Sequence, residues 1–174
     1  MQAILIGFMA SGKTTVGKLL AQQLTTKHTD LDSFIVRQTH QTISQIFAQH
    51  GETYFRQLEE QYLRHVLTLP GILSTGGGTP MKTTNAALLK ADAAPTIWLA
   101  TTGATTLQRL QNDTTRPLAH KLDASGLLSL QEKRTPTYER VADLVIQTDQ
   151  LSPQQIVEQI KKWLFNSQLN LQKD

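Results

Sequence analysis

Near the start of the chain, Gly7-Phe8-Met9-Ala10-Ser11-Gly12-Lys13-Thr14 fits the pattern G-x-x-x-x-G-K-[ST], and it limits the fold more than any other feature of the 174 residues. Glycines at this spacing let the backbone curl so that successive N–H groups point inward, where they can cradle phosphate oxygens. The pattern needs a strand before it and a helix after it, because the helix N-terminus adds its dipole to the cradle. Ala3-Ile4-Leu5-Ile6 supplies the strand, and Val16, Leu19, Leu20 and Leu24 recur at helical spacing after Lys13. In this setting Lys13 reaches the β- and γ-phosphates of a nucleotide and the Thr14 hydroxyl ligates Mg²⁺. A plain glycine turn before a helix is the alternative, and the strand–loop–helix context argues against it.

The rest of the chain continues the alternation. A second short strand is expected before Asp30, followed by two or more helices from Ser33 to Leu69. One apolar stripe there is Ile43, Ile46 and Phe47, and another is Phe55, Leu58, Tyr62 and Val66. Ile72-Leu73-Ser74-Thr75, Thr96-Ile97-Trp98-Leu99-Ala100 and Leu144-Val145-Ile146 read as further strands. Ser152-Pro153 opens a last helix with an N-cap and a first-position proline. Strands separated by helices imply βαβ units, hence a three-layer α/β/α fold of the P-loop NTPase type around a parallel sheet of about five strands. The whole span 1–174 reads as a single domain, with no repeat and no linker.

Composition narrows the function. The formal charge of +3 suits a small anionic ligand, and no run of Lys or Arg is long enough for a nucleic-acid patch. Cysteine is absent, which rules out disulfides and thiolate metal sites. No apolar run approaches the roughly 20 residues that a membrane helix requires. The expectation is a cytoplasmic protein with no membrane partner.

A phosphate loop alone leaves GTPases, ATPases and kinases open. There is no Asn-Lys-x-Asp base-recognition element, and neither Ile72–Thr75 nor Thr96–Ala100 leads into the Asp with which many motor ATPases hold Mg²⁺. A compact kinase remains. Asp30-Leu31-Asp32 follows the second strand, where strand ends of such sheets form ligand crevices. In extended chain the two carboxylates would diverge, one serving Mg²⁺ through water and the other facing an acceptor hydroxyl. Asp32 as a solvent-facing helix cap is the competing reading.

Further along come Phe55-Arg56-Gln57-Leu58-Glu59-Glu60, Gly76-Gly77-Gly78, Arg116-Pro117-Leu118 and Arg134-Thr135-Pro136-Thr137-Tyr138. With Gly7-Phe8-Met9 and the Asp-x-Asp, this ordered series closely resembles the shikimate kinases, from Ile4 to about Ile160. Each piece alone is weak, and the order makes the set specific.

The resemblance implies ATP and shikimate as small-molecule substrates, Mg²⁺ as cofactor, a monomer, and a strand order like that of nucleoside monophosphate kinases. It implies that Ala10, Ser11, Gly12, Lys13, Thr14 and Thr15 bind ATP together with Arg109, which would lie against adenine, with Thr148-Asp149 bordering the other side. Asp32 would orient the attacking hydroxyl, and Asp30 would hold Mg²⁺ through waters beside Thr14. Arg56 and Arg134 would grip the substrate carboxylate, since forked donors match its plane. Glu59 would hold Arg56 in place. Gly77 and Gly78 would let backbone N–H groups approach the substrate, and Phe47 and Phe55 would pack on its ring. A helical substrate-binding insert is expected over about 31–62. A lid is expected over about 111–125, a stretch without apolar periodicity, from which Arg116 would reach the transferring phosphoryl group as a catalytic residue beside Lys13 and Asp32.

Two departures stand out. The family usually has glycine where this chain has Ala10, which is expected to require only a modest restriction of φ. The lid is rich in small polar residues such as Asp113-Thr114-Thr115. Rival readings are the same fold with another acceptor, such as gluconate or a nucleoside monophosphate, and a non-catalytic ligand-binding member. Faster turnover of another acceptor separates the first, and binding without turnover the second.

Overall fold

The structure is a computed structural model that describes residues 1–111 and 123–171. Its strands are β1 (Ala3–Ile6), β2 (His28–Asp30), β3 (Ile72–Ser74), β4 (Thr96–Ala100) and β5 (Leu144–Gln147). They form one parallel sheet in the order β2-β3-β1-β4-β5. The described helices are α1 (Lys13–Gln23), α2 (Leu31–Thr39), α3 (Ile43–Leu67), α4 (Thr83–Ala91), α5 (Gly103–Gln111), α6 (Ala124–Val141) and α7 (Pro153–Leu171), with a 3-10 turn at Thr79–Met81.

The period-2 alternation of the central strands divides the apolar interior in two. Ile4 and Ile6 of β1 face one side with Leu73 and Trp98, and are covered by Leu31, Ile35, Ile46, Leu63, Leu89 and Tyr138. Ala3 and Leu5 face the other side with Ile72, Ile97 and Leu99, covered by Val16 and Leu20 of α1 and Ile156, Val157 and Ile160 of α7. Helices on both faces of a five-stranded parallel sheet are the expected three layers.

Helix α3 is not continuous. Thr42 and Gln45 form a capping box at its start, with Gln45 N donating to Thr42 Oγ1 at 3.2 Å and Thr42 N to Gln45 Oε1 at 2.8 Å. Gly51 then breaks the helix at φ 80° and ψ 175°, a conformation essentially reserved for glycine. The break sets the direction of the second segment, which carries Phe55, Arg56 and Glu59. Expectations for the lid differ at its edges. Gln111 still belongs to α5, and α6 begins at Ala124, capped by Asp123, whose Oδ1 accepts from Gly126 N at 2.8 Å.

Candidate active site

The phosphate loop leaves β1 in the middle of the sheet, so it emerges where the chain turns to opposite sides, the usual crevice of such sheets. Gly12 enters α1 with φ 92°, aiming the first N–H groups of the helix at the loop's interior. Ala10 has φ 60°. The expectation of a modest φ restriction is therefore wrong: this position is left-handed, which an L side chain disfavours by about 1–2 kcal/mol. Lys13 is buried, and its Nζ donates to the carbonyls of Gly7 at 2.9 Å and Phe8 at 2.8 Å and to Ser11 Oγ at 3.3 Å.

Asp30 ends β2 and caps α2. Its Oδ1 accepts from Ser33 N at 3.0 Å, while its Oδ2 accepts from Thr14 Oγ1 at 2.9 Å. The extended Asp30–Asp32 stretch is thus corrected: the helix starts at Leu31, the cap is Asp30 and not Asp32, and Asp32 sits in the first helical turn. The two carboxylates still part company, Asp30 toward Thr14 and Asp32 toward the glycine turn. A Cβ on Gly76 would lie 2.9 Å from Asp32 Oδ1.

That glycine turn is crowded from three directions. A Cβ on Gly78 would fall 2.7 Å from Arg56 Nη2, and one on Gly77 would fall 3.3 Å from Gly7 O. The turn thereby packs on the phosphate loop with one residue and on Arg56 with the next. Arg56 Nη1 donates to Glu59 Oε2 at 2.8 Å, and Nη2 to Glu52 Oε1 at 3.1 Å. Burial disfavours the Arg56 charge, but Glu59 and Glu52 outweigh it and raise its pKa above the ordinary arginine value. From α6, Arg134 lies over the Phe8 ring with its guanidinium carbon 5.6 Å from the centroid. One turn on, Tyr138 Oη donates to Gly77 O at 2.5 Å.

On the opposite flank, Arg109 Nη1 donates to Ala10 O at 3.1 Å and Nη2 to Thr148 O at 3.2 Å. A cleft of about 460 Å³ joins the two flanks, running from Asp32, Gly76 and Gly77 past Lys13 and Thr14 to Arg109 and Leu151. Such a volume suits two small substrates end to end.

A family model described as shikimate kinase matches residues 9–165. The chain belongs to the shikimate kinase family. It is 46% identical over 165 residues to a shikimate kinase of Limosilactobacillus fermentum, covering 94% of this chain and 95% of that one. A shikimate kinase of Sulfurihydrogenibium sp. is 41% identical over 157 residues, covering 90% and 93%. Among solved structures, the shikimate kinase from Acinetobacter baumannii in complex with shikimate superposes with a TM-score of 0.90 at 33% identity, covering 97% of this chain and 94% of that one. Membership makes the chain a phosphotransferase acting on a hydroxyl group, with ATP as co-substrate.

Of the residues anticipated for this family, Ala10, Ser11, Gly12, Lys13, Thr14, Thr15, Asp30, Asp32, Gly77 and Arg109 line the one cleft. Arg56, Gly78 and Arg134 are not among the lining residues: Arg56 packs against Gly78, the neighbour of the lining residue Gly77, and Arg134 lies over Phe8. Arg116 lies outside the described residues. Sequence reasoning missed the place of Leu151, Pro153 and Ile156 at the apolar end of the cleft; Pro153 reads only as a helix start, and Leu151 precedes the helix. It also missed Tyr138, and with it Thr79 and Asn85, both fully buried behind Arg56 and Glu59.

Thr14 and Asp30 offer two hard oxygens 2.9 Å apart. That donor set fits Mg²⁺, which keeps most of its waters and takes one or two protein oxygens plus substrate phosphates.

Proposed function

We propose that this protein transfers the γ-phosphate of ATP to the 3-hydroxyl of shikimate, giving shikimate 3-phosphate and ADP on the way to chorismate and the aromatic amino acids. The carrying observation is the convergence in one cleft of the phosphate-loop groups Lys13 and Thr14 with Asp32 and the Gly76–Gly77 turn. A polyhydroxy acid needs a carboxylate acceptor for its hydroxyls and a fork for its own carboxylate. Asp32 and Arg56 approach the same glycine turn, from Gly76 and Gly78 respectively.

In this reading the loop N–H groups of Ser11, Gly12, Thr14 and Thr15 hold the phosphates, and Lys13 lies between the loop carbonyls and the γ-phosphate. Asp32 orients the attacking hydroxyl and takes its proton late, because a loose transition state asks little base strength of it. Arg56 and Arg134 fix the substrate carboxylate, and Gly77 and Gly78 let the ring approach the backbone. Arg109, with the Thr148 carbonyl and Leu151, borders adenine. Arg116 acts on the transferring group from the segment between α5 and α6. Thr14 and Asp30, the latter through water, would hold Mg²⁺, which neutralises charge between the β- and γ-phosphates. No described helix is long and apolar enough to cross a membrane. The reading is of a cytoplasmic monomer acting on small molecules, with a substrate region of about 31–62 and a lid between α5 and α6.

The test is ADP release with MgATP, with and without shikimate, for the wild type and Asp32→Asn. Shikimate-dependent turnover that falls by about 10²–10⁴-fold in the variant is expected. Wild-type ADP release indifferent to shikimate would overturn the reading.

A further inference from the structure

If Arg56 meets the substrate carboxylate, as proposed above, its angle matters, because a planar fork donates well only along its own plane. The Arg56 side chain is 23% exposed, on a flexible stem. Glu52 accepts from Nη2 at 3.1 Å and Nε at 3.3 Å but is 67% exposed; the buried anchor is Glu59, whose side chain is 1% exposed and whose Oε2 accepts from Nη1 at 2.8 Å. A carboxylate this deeply buried needs both oxygens satisfied, or the unsatisfied one drives it to rotate or to protonate.

The other oxygen has a partner 20 residues further along the chain. Thr79 Oγ1 donates to Glu59 Oε1 at 2.7 Å. Thr79 is itself fully buried at the start of the 3-10 turn, and its carbonyl accepts from Asn85 Nδ2 of α4 at 3.1 Å, with Asn85 also fully buried. Gly76 stands where these groups meet. A Cβ there would lie 3.1 Å from Thr79 Oγ1, 3.3 Å from Glu59 Oε1 and 2.9 Å from Asp32 Oδ1. The glycine turn therefore brings the Thr79–Glu59 pair against the carboxylate that faces the acceptor hydroxyl.

We infer that Thr79 is a positioning residue for the acceptor: its hydroxyl locks the Glu59 carboxylate, Glu59 locks the Arg56 fork, and Asn85 holds Thr79 in register. This deepens the proposed reading of Arg56 and depends on it. A hydroxyl that served only folding would change stability, with no preference between the two substrates. A positioning hydroxyl acts on shikimate alone, since the linked groups from Asn85 to Arg56 all stand on the acceptor side of the cleft.

The experiment measures KM for shikimate and for ATP in Thr79→Val, Thr79→Ala, Thr79→Ser and Arg56→Ala, and in the double variant Thr79→Val with Arg56→Ala. Thr79→Val keeps the shape, and Thr79→Ala adds no bulk should valine impair folding. Both should raise the shikimate KM by about tenfold, the scale of one hydrogen bond to a charged group, with the ATP KM within about twofold of wild type. Thr79→Ser should restore shikimate KM toward wild type. In the Arg56→Ala background, Thr79→Val should add nothing further, because both act through one fork. If Arg56→Ala raises the shikimate KM while the Thr79 variants leave it unchanged, or raise both KM values alike, the positioning role is overturned and the reading of Arg56 stands. If Arg56→Ala leaves the shikimate KM unchanged, that reading falls and takes this one with it.

Discussion

At the scale of single residues, Ala10 is the least comfortable member of the site. Its φ of 60° places a methyl group in the left-handed region, at a cost of about 1–2 kcal/mol. Ala10→Gly relieves that strain, although glycine gives back part of the gain by loosening the unfolded chain, about 0.4–1 kcal/mol. The net effect should be a rise in thermal midpoint of about 1–2 °C, read by calorimetry. A fall would mean that the methyl group makes packing contacts worth more than the strain. The letters of this chain around Ala10 do not announce a positive φ; only the glycine usual at this place in the family does. The motif's tolerance of any residue there conceals it, and only the curl of the loop between Gly7 and Gly12 imposes it.

Among the elements, α6 does the least visible work. It contains Pro136 and is largely polar, so periodicity hides it, whereas the strands at Ala3–Ile6 and Thr96–Ala100 and the helix starts at Lys13 and Pro153 are written in apolar runs and cap residues. The break at Gly51 is equally hidden, because two apolar stripes read alike whether or not a kink separates them. The strand His28–Asp30 has no fully buried residue and is recognisable only from the Asp-x-Asp at its end. Through Tyr138, α6 ties the glycine turn to the sheet: the phenol reaches Gly77 O and its ring stacks on Trp98 at 5.7 Å. Burial pushes the Tyr138 pKa up to about 12, against the opposing charge and hydrogen bond of Arg134. The folded value lies above the ordinary phenol value of 10.0, so this contribution is whole below pH 10 and is lost as pH climbs through about 12. In absorbance titrations at tyrosinate wavelengths, Tyr138→Phe should therefore lose amplitude near pH 12. At neutral pH the same variant should be less stable by about 1 kcal/mol in urea.

Across the whole molecule, the sheet separates two cores that share no side chain among the described residues. Ile46 belongs to one and Ile160 to the other, and both are fully buried. Ile46→Ala should cost about 2–5 kcal/mol and Ile160→Val about 0.5–1.5 kcal/mol by urea unfolding. With a sheet between them, the double variant should lose the sum to within about 0.5 kcal/mol. The strand order has a second outcome. β2 and β3, which lead into Asp30, Asp32 and the glycine turn, lie on one side of β1; β4 and β5, which lead toward Arg109, Thr148 and Leu151, lie on the other. In the proposed reading, the acceptor-facing residues Asp32, Arg56, Gly77 and Gly78 thus lie in one continuous stretch of the gene between α1 and β4, with Arg134 outside it. Exchanging that stretch would replace those residues while the phosphate loop before it stayed in place, and it would carry Asp30, the partner of Thr14, along with them. A new acceptor gained by such an exchange would therefore have to arrive with an aspartate at the end of β2, to face Thr14 across the boundary.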